Sequence, residues 1–198
     1  MACCGLGPTF GAMQRMNINS GEVIVVTGIG PVGLGAIVNS VYRGARPIAV
    51  ETIPYRRELA LRVGALAALD PTSDKSLQKV IELTSGRGAD AAVDCSGVAA
   101  AQRFALDCLR PKGRMAFVGQ GKDVPLQTSR DMISKGLSLY GVWHYNRADA
   151  SRLINVISGS IDLLDRQITH RMPMSEVQNA FELQVSGESG KIILHPWE

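Results

Sequence analysis

Along most of the chain, short apolar runs rich in β-branched residues alternate with stretches whose apolar positions recur three and four residues apart. The runs Val23–Thr27, Ile48–Glu51, Ala67–Leu69, Ala91–Asp94, Met115–Val118 and Leu137–Val142 read as strands, Ala67–Leu69 being the weakest. Between most of them lie helical patterns. Pro54 to Gly64 opens with a proline, whose fixed φ suits a first helical turn, and closes on a glycine. Leu77, Val80, Ile81 and Leu83 fall on one helical face, with Thr72 or Ser73 as the expected N-cap and Gly86 as the stop. A further helix is predicted from about Val98 to Leu109, where Arg110-Pro111-Lys112-Gly113 breaks it. Parallel strands need crossover connections, so regular strand–helix alternation specifies an α/β fold. Six strands in two halves predict a Rossmann-type, doubly wound parallel six-stranded sheet.

After Val142 the pattern changes. A helix from about Arg147 to Ser158, a short strand near Ile168, a helix from Ser175 to Val185 and a final strand Lys191–His195 are surplus to that sheet. Two readings stand: a C-terminal decoration, or an α/β extension belonging to a second domain of which the rest is absent. The sequence has no internal repeat, low-complexity tract or linker-like segment.

Chemistry enters at the first strand, which runs into Gly28, Gly30 and Gly33 and then into a helical pattern. An acid, Glu51, ends the next apolar run eighteen positions after Gly33. Strand, glycines, helix and acid together form the setting of a dinucleotide-binding fingerprint. Gly28 allows the tight turn, Gly30 lets backbone approach a pyrophosphate with no Cβ in the way, and Gly33 lets the helix pack close on the sheet. The helix N-terminus offers free N–H groups and its positive dipole end to the phosphates. In the second half, Asp94-Cys95-Ser96-Gly97 and Val118-Gly119-Gln120-Gly121 fall at the carboxyl edge of the sheet, beside the switch point. Small residues there leave room for a flat cofactor.

Composition narrows the partners. The 198 residues carry a net charge of +3 with scattered basic positions, which gives no footprint for nucleic acid or a membrane surface. No apolar run approaches the roughly 20 residues of a membrane span, and the N-terminus lacks a secretory pattern, so a cytoplasmic protein is expected. Cys3, Cys4, Cys95 and Cys108 form no Cys-x-x-Cys pair, and reduced thiols are expected. His144, His170 and His195 have no metal-ligand spacing.

With these segments in place, the chain resembles the medium-chain, zinc-type alcohol dehydrogenase superfamily, and within it the sorbitol, polyol and threonine dehydrogenase-like enzymes. The resemblance rests on Cys4-Gly-Leu-Gly-Pro-Thr-Phe-Gly11, Gly28-Ile-Gly-Pro-Val-Gly33, Asp94-Cys-Ser-Gly97, Val118-Gly119, Trp143-His-Tyr-Asn146, Ile168-Thr-His170 and Gly190-Lys-Ile-Ile-Leu194. It implies hydride transfer between a small-molecule alcohol and NAD, with zinc polarising the alcohol oxygen in a longer parent. It divides the chain into an NAD-binding Rossmann domain over 1–142, with a short lead-in helix, and a segment over 143–198 of an otherwise missing catalytic domain. No catalytic residue is assigned within the chain, and Cys4 matches a zinc-ligand position.

The cofactor residues so implied are Gly28, Gly30, Pro31, Val32, Gly33, Glu51, Arg56, Cys95, Ser96, Val118, Gly119 and Lys191. Glu51 matches the acid that accepts both adenosine ribose hydroxyls and repels a 2′-phosphate, which favours NAD over NADP. Arg56 matches a basic position that touches the ribose, although guanidinium groups at Arg56 and Arg57 also suit a phosphate. Lys191 matches a pyrophosphate contact, or is an exposed lysine at a strand start. Trp143, His144 and Tyr145 border a substrate cleft or belong to a subunit interface, since the family pairs its last sheet strands into dimers or tetramers. Two alternatives remain: a catalytically silent dinucleotide-binding module, or the zinc-free quinone or enoyl reductase branch. Cys4 and Trp143–Asn146 argue against that branch.

Overall fold

The structure is a computed structural model that describes residues 2–197. Six parallel strands form one sheet in the order β3-β2-β1-β4-β5-β6: β1 Val23–Thr27, β2 Arg46–Val50, β3 Ala67–Leu69, β4 Ala89–Asp94, β5 Leu109–Phe117 and β6 Ser138–Gly141. Every pairing in it is parallel. The order reverses at β1 and β4, the switch point at whose carboxyl ends ligands bind.

Alternation along the strands builds two cores. Ile24 and Val26 of β1 and Ala91 and Val93 of β4 face one layer, with Leu34, Ile37 and Val38 of α2 (Pro31–Tyr42) and Leu59 and Ala60 of α3 (Pro54–Arg62). The lead-in helix α1 (Gly7–Arg15) adds Phe10 and Met13 to this layer. Val23 and Val25 face the other, with Val80 of α4 (Ser76–Leu83) and Ala105, Leu106 and Cys108 of α5 (Ala99–Cys108). β1 and β4 are buried along their whole length, which is why β1 reads as a nearly unbroken apolar run.

Three expectations are corrected. Neither Thr72 nor Ser73 caps α4, which starts at Ser76 with no side-chain cap. The Thr72 hydroxyl and N–H both donate to Asp70 Oδ1 instead, forming a local turn. The helix before Arg110-Pro-Lys-Gly ends at Cys108, as that break predicts, but β5 begins at Leu109 and runs through it, well ahead of the expected Met115, with Lys112 at φ 59°. Leu77, placed on the apolar face, is exposed, whereas Val80 of the same helix is fully buried.

After Val142 the chain forms α6 (Ala150–Gly159), the unforeseen α7 (Ile161–Gln167), β7 (Ile168–Pro173), α8 (Val177–Ser186) and β8 (Lys191–His195). β7 and β8 pair in a separate two-stranded parallel sheet, so they are indeed surplus to the main one. Leu153, Val156 and Leu164 of α6 and α7 nevertheless join the core beneath α1 and α2. By contrast α8 buries only Ala180 and leaves Phe181 and Val185 exposed. Among the described residues no helix is long and apolar enough to cross a membrane.

Candidate cofactor site

The three fingerprint glycines meet different demands. Gly28 has φ +79°, donates its N–H to Val50 O at 3.0 Å, and would place a Cβ 2.7 Å from Ser96 Cβ. Gly33 would place one 2.0 Å from Gly28 O, so the first turn of α2 sits directly on the turn before it. Gly30 is neither strained nor crowded: φ is −78°, ψ is −168°, and a Cβ would meet nothing within 4 Å. Its bare backbone faces open space.

That space lies at the N-terminus of α2, which carries Gly30 at its N-cap, Pro31 next, no side-chain cap and no acid in its first turn. Pro31 has no N–H, and Leu34 N–H returns to Gly30 O at 2.9 Å, so the Val32 and Gly33 amides have no partner in the helix. An uncapped helix start beside an open glycine fits a phosphate-bearing ligand.

Glu51, directly after β2, is 8% exposed. Its Oε1 accepts from Thr52 N at 2.8 Å, Ile53 N at 3.1 Å and the Thr52 hydroxyl at 3.2 Å, while Oε2 accepts from Ile29 N at 2.8 Å. The carboxylate thus locks the glycine turn to the end of β2, and Oε2 keeps a lone pair free for a further donor. Arg56 approaches Oε2 only to 3.9 Å, and its Nε is buried without a hydrogen-bond partner. Arg57 turns away, donating to the carbonyls of Glu51 and Thr52 and to Asp70.

The opposite wall depends on a residue that the fingerprint does not contain. Asp94, fully buried at the end of β4, accepts five hydrogen bonds: from Thr27 Oγ1, Ser96 N and Ser96 Oγ on Oδ1, and from Gly97 N and Gln102 Nε2 on Oδ2. These donors stabilise the charge without a cation and fix Cys95 and Ser96 against the glycine turn. Burial, with Asp94 nearby, pushes the Cys95 thiol far up, which makes it a wall and not a nucleophile. Val118 N and Gly119 N both donate to Asp94 O at 2.9 Å, and a Cβ on Gly119 would lie 2.3 Å from Gly97 N.

A cleft of about 370 Å³ joins these groups, lined by Gly28, Gly30, Glu51, Arg56, Cys95 and Ser96, together with Thr52, Ile53, Val98 and Ala101. Gly33, Val118 and Gly119 are not among its lining residues; Pro31, Val32 and Gly33 form the adjoining first turn of α2. Lys191 does not line it; it pairs opposite Ile168 in the small sheet. The turn before it does approach, for a Cβ on Gly187 would meet Ile53 Cδ1 at 2.5 Å and Arg56 Cζ at 3.7 Å. The sequence offered a signal for Asp94, an acid closing an apolar run, but none for Ile53, Val98 or Ala101.

Zinc does not fit the described residues. Cys4 is exposed, and among them no three His, Cys, Asp or Glu side chains are grouped to hold a metal. A catalytic zinc takes three protein ligands, so no step of a reaction is assigned to one here.

The pattern of the zinc-binding dehydrogenase family matches residues 31–159. The L-threonine 3-dehydrogenase of Caldanaerobacter subterraneus is 33% identical over 180 residues, which is 89% of this chain and 52% of that protein. An uncharacterized zinc-type alcohol dehydrogenase-like protein of Escherichia coli, YphC, is 30% identical over 200 residues, 97% of this chain and 55% of that one. The crystal structure of an alcohol dehydrogenase from Thermotoga maritima superposes with a TM-score of 0.88 at 29% identity, covering 98% of this chain and 55% of that one. The chain spans about half the length of the curated relatives it matches.

Proposed function

The chain belongs to the zinc-binding dehydrogenase family, and from that premise we propose that it is the NAD-binding part of an alcohol or polyol dehydrogenase. The observation that carries this reading is the pairing of an uncapped α2 N-terminus, open above Gly30, with the Glu51 carboxylate across the same cleft. The Val32 and Gly33 amides bind pyrophosphate oxygens, and the free lone pair on Glu51 Oε2 accepts a ribose hydroxyl. Arg56, with an unpartnered Nε, completes the adenosine end, and Cys95 and Ser96 form the wall along which the cofactor lies. Bound there, NAD supplies a hydride acceptor in one direction and, as NADH, a donor in the other. Glu51 favours NAD, because a 2′-phosphate meets a buried carboxylate whose other lone pairs are committed.

The alcohol-handling groups, zinc included, are proposed to reside in the half of the relatives that this chain does not match. Residues 1–142 are then the cofactor unit, 143–198 a segment of the substrate-handling domain, and Lys191 a pyrophosphate contact. The relatives include L-threonine 3-dehydrogenases, and a small secondary alcohol is the substrate class proposed here. β6 is one of the two edge strands of the sheet, and a homo-oligomer joined there is proposed. Titration by nicotinamide fluorescence tests the cofactor: NADH should bind saturably, and NADPH at least about tenfold more weakly, since hydrogen bonds to a charged group contribute about 1.5–3 kcal/mol. Equal affinity for both would overturn the role of Glu51.

A further inference from the structure

We propose that Asp70 is a second specificity-determining residue, which withholds Arg57 from the adenosine end of the cleft and so denies a 2′-phosphate its cation. The proposal rests on the cofactor reading above.

Arg57 follows Arg56, a lining residue, and its guanidinium already reaches the carbonyls of Glu51 and Thr52, both at 2.8 Å. It therefore stands at the place where the ribose acceptor leaves β2, yet it is not among the lining groups. The third contact accounts for that. Nη1 also donates to Asp70 Oδ2 at 3.1 Å, so its two hydrogens are shared among three acceptors and that end of the fork is held toward β3. Asp70 is itself anchored. Its Oδ1 accepts from Thr72 N at 2.9 Å and the Thr72 hydroxyl at 2.7 Å, and these bonds hold its carboxyl below the usual range, so it is ionised at neutral pH. Strand pairing fixes the distance between the two ends, because Glu51 N donates to Leu69 O at 3.0 Å. Pro71, next to Asp70, lines the cleft.

A guanidinium binds a phosphate through two parallel N–H donors; with Nη1 shared among two carbonyls and a carboxylate, the Nη1–Nη2 edge of Arg57 is committed beside β3, and Asp70 already pairs the charge that a 2′-phosphate would need. Discrimination against NADP then has two layers. Glu51 repels the 2′-phosphate, and Asp70 removes the cation that would otherwise compensate. Changing Glu51 alone should weaken NADH binding without producing good NADPH binding.

The test compares Glu51→Gln with Glu51→Gln/Asp70→Asn, each with and without Arg57→Ala, by NADH and NADPH fluorescence titration. Asp70→Ser in place of Asp70→Asn guards against a variant that folds poorly. The double variant should bind NADPH about tenfold more tightly than Glu51→Gln, and Arg57→Ala should cancel that gain. A gain that survives Arg57→Ala would move the role to Arg56 and overturn the proposal, as would no gain with either Asp70 substitution. If the unaltered chain binds neither cofactor, the cofactor reading itself fails and the proposal with it. Binding of NADH by the unaltered chain without any Asp70 effect sinks the proposal alone.

Discussion

Gly30→Ala should separate cofactor binding from folding, and Gly33→Ala should not. At Gly30 the backbone is extended and a Cβ meets nothing within 4 Å. Alanine there loses no packing and narrows the unfolded ensemble, so stability should hold or rise by about 0.4–1 kcal/mol. The methyl group does occupy the space through which pyrophosphate reaches the α2 amides. Losing one hydrogen bond to a charged group costs about 1.5–3 kcal/mol, or roughly 10- to 150-fold in NADH affinity. At Gly33 a Cβ would lie 2.0 Å from Gly28 O, and both positions are backbone, so nothing flexible can yield. Forcing α2 away from the turn costs about 1–3 kcal/mol, as overpacking does elsewhere. Urea unfolding followed by far-ultraviolet circular dichroism, beside NADH titration, reads both quantities. The reasoning is refuted if Gly30→Ala loses as much stability as Gly33→Ala, or binds NADH as the natural chain does.

Two further outcomes follow from buried groups elsewhere. Asp131 is fully buried and accepts from both terminal nitrogens of Arg103, at 2.7 and 3.0 Å, and from Gln127 N at 2.9 Å; the Arg103 bonds chiefly hold its carboxyl below its ordinary 3.8. A depressed folded-state pKa stabilises above the unfolded value and is lost as pH falls through the folded one. Asp131→Asn should therefore cost about 1–3 kcal/mol at neutral pH, and the gap should close in acid below the carboxylate range; a gap independent of pH would contradict this. Burial pushes the Cys95 and Cys108 thiols up, while Cys3 and Cys4 are exposed. An aromatic disulfide reagent at pH 8 should titrate Cys3 and Cys4 quickly and Cys108 only on unfolding, and a fast-reacting Cys108 would contradict its place in the core.

The sheet was legible because its central strands are buried on both faces and so read as unbroken apolar runs, as Val23–Thr27 does. The glycine turn and Glu51 were legible for a related reason: positive φ at Gly28, and contact at Gly33 too close for any side chain, leave no other residue. What escaped depends on partners distant in sequence. Gly35 lies in mid-helix and reads as a mere helix weakness, but its Cβ would lie 1.9 Å from Gly5 O in the lead-in segment. The distant partners of Asp94, Thr27 and Gln102, and the capture of Arg57 by Asp70 at the end of the neighbouring strand carry no local sign. α7 went unseen because Ile161-Asp-Leu-Leu-Asp follows Gly159 and Ser160 with only two apolar positions, Leu163 and Leu164, turned inward. The cap of α4 was misplaced because Thr72 had a better local acceptor in Asp70.

The central claim is that one cleft, between the glycine turn, the end of β2 and the Asp94 loop, holds the dinucleotide. Backbone amide chemical shifts of the isotope-labelled chain, followed during titration with NAD, test it most directly. The account requires the largest changes at Gly28, Ile29, Val32 and Gly33, at Thr52 and Ile53, and at Cys95, Ser96 and Gly97. Saturable shifts centred elsewhere, with Val32, Gly33 and Ser96 unmoved, would contradict it.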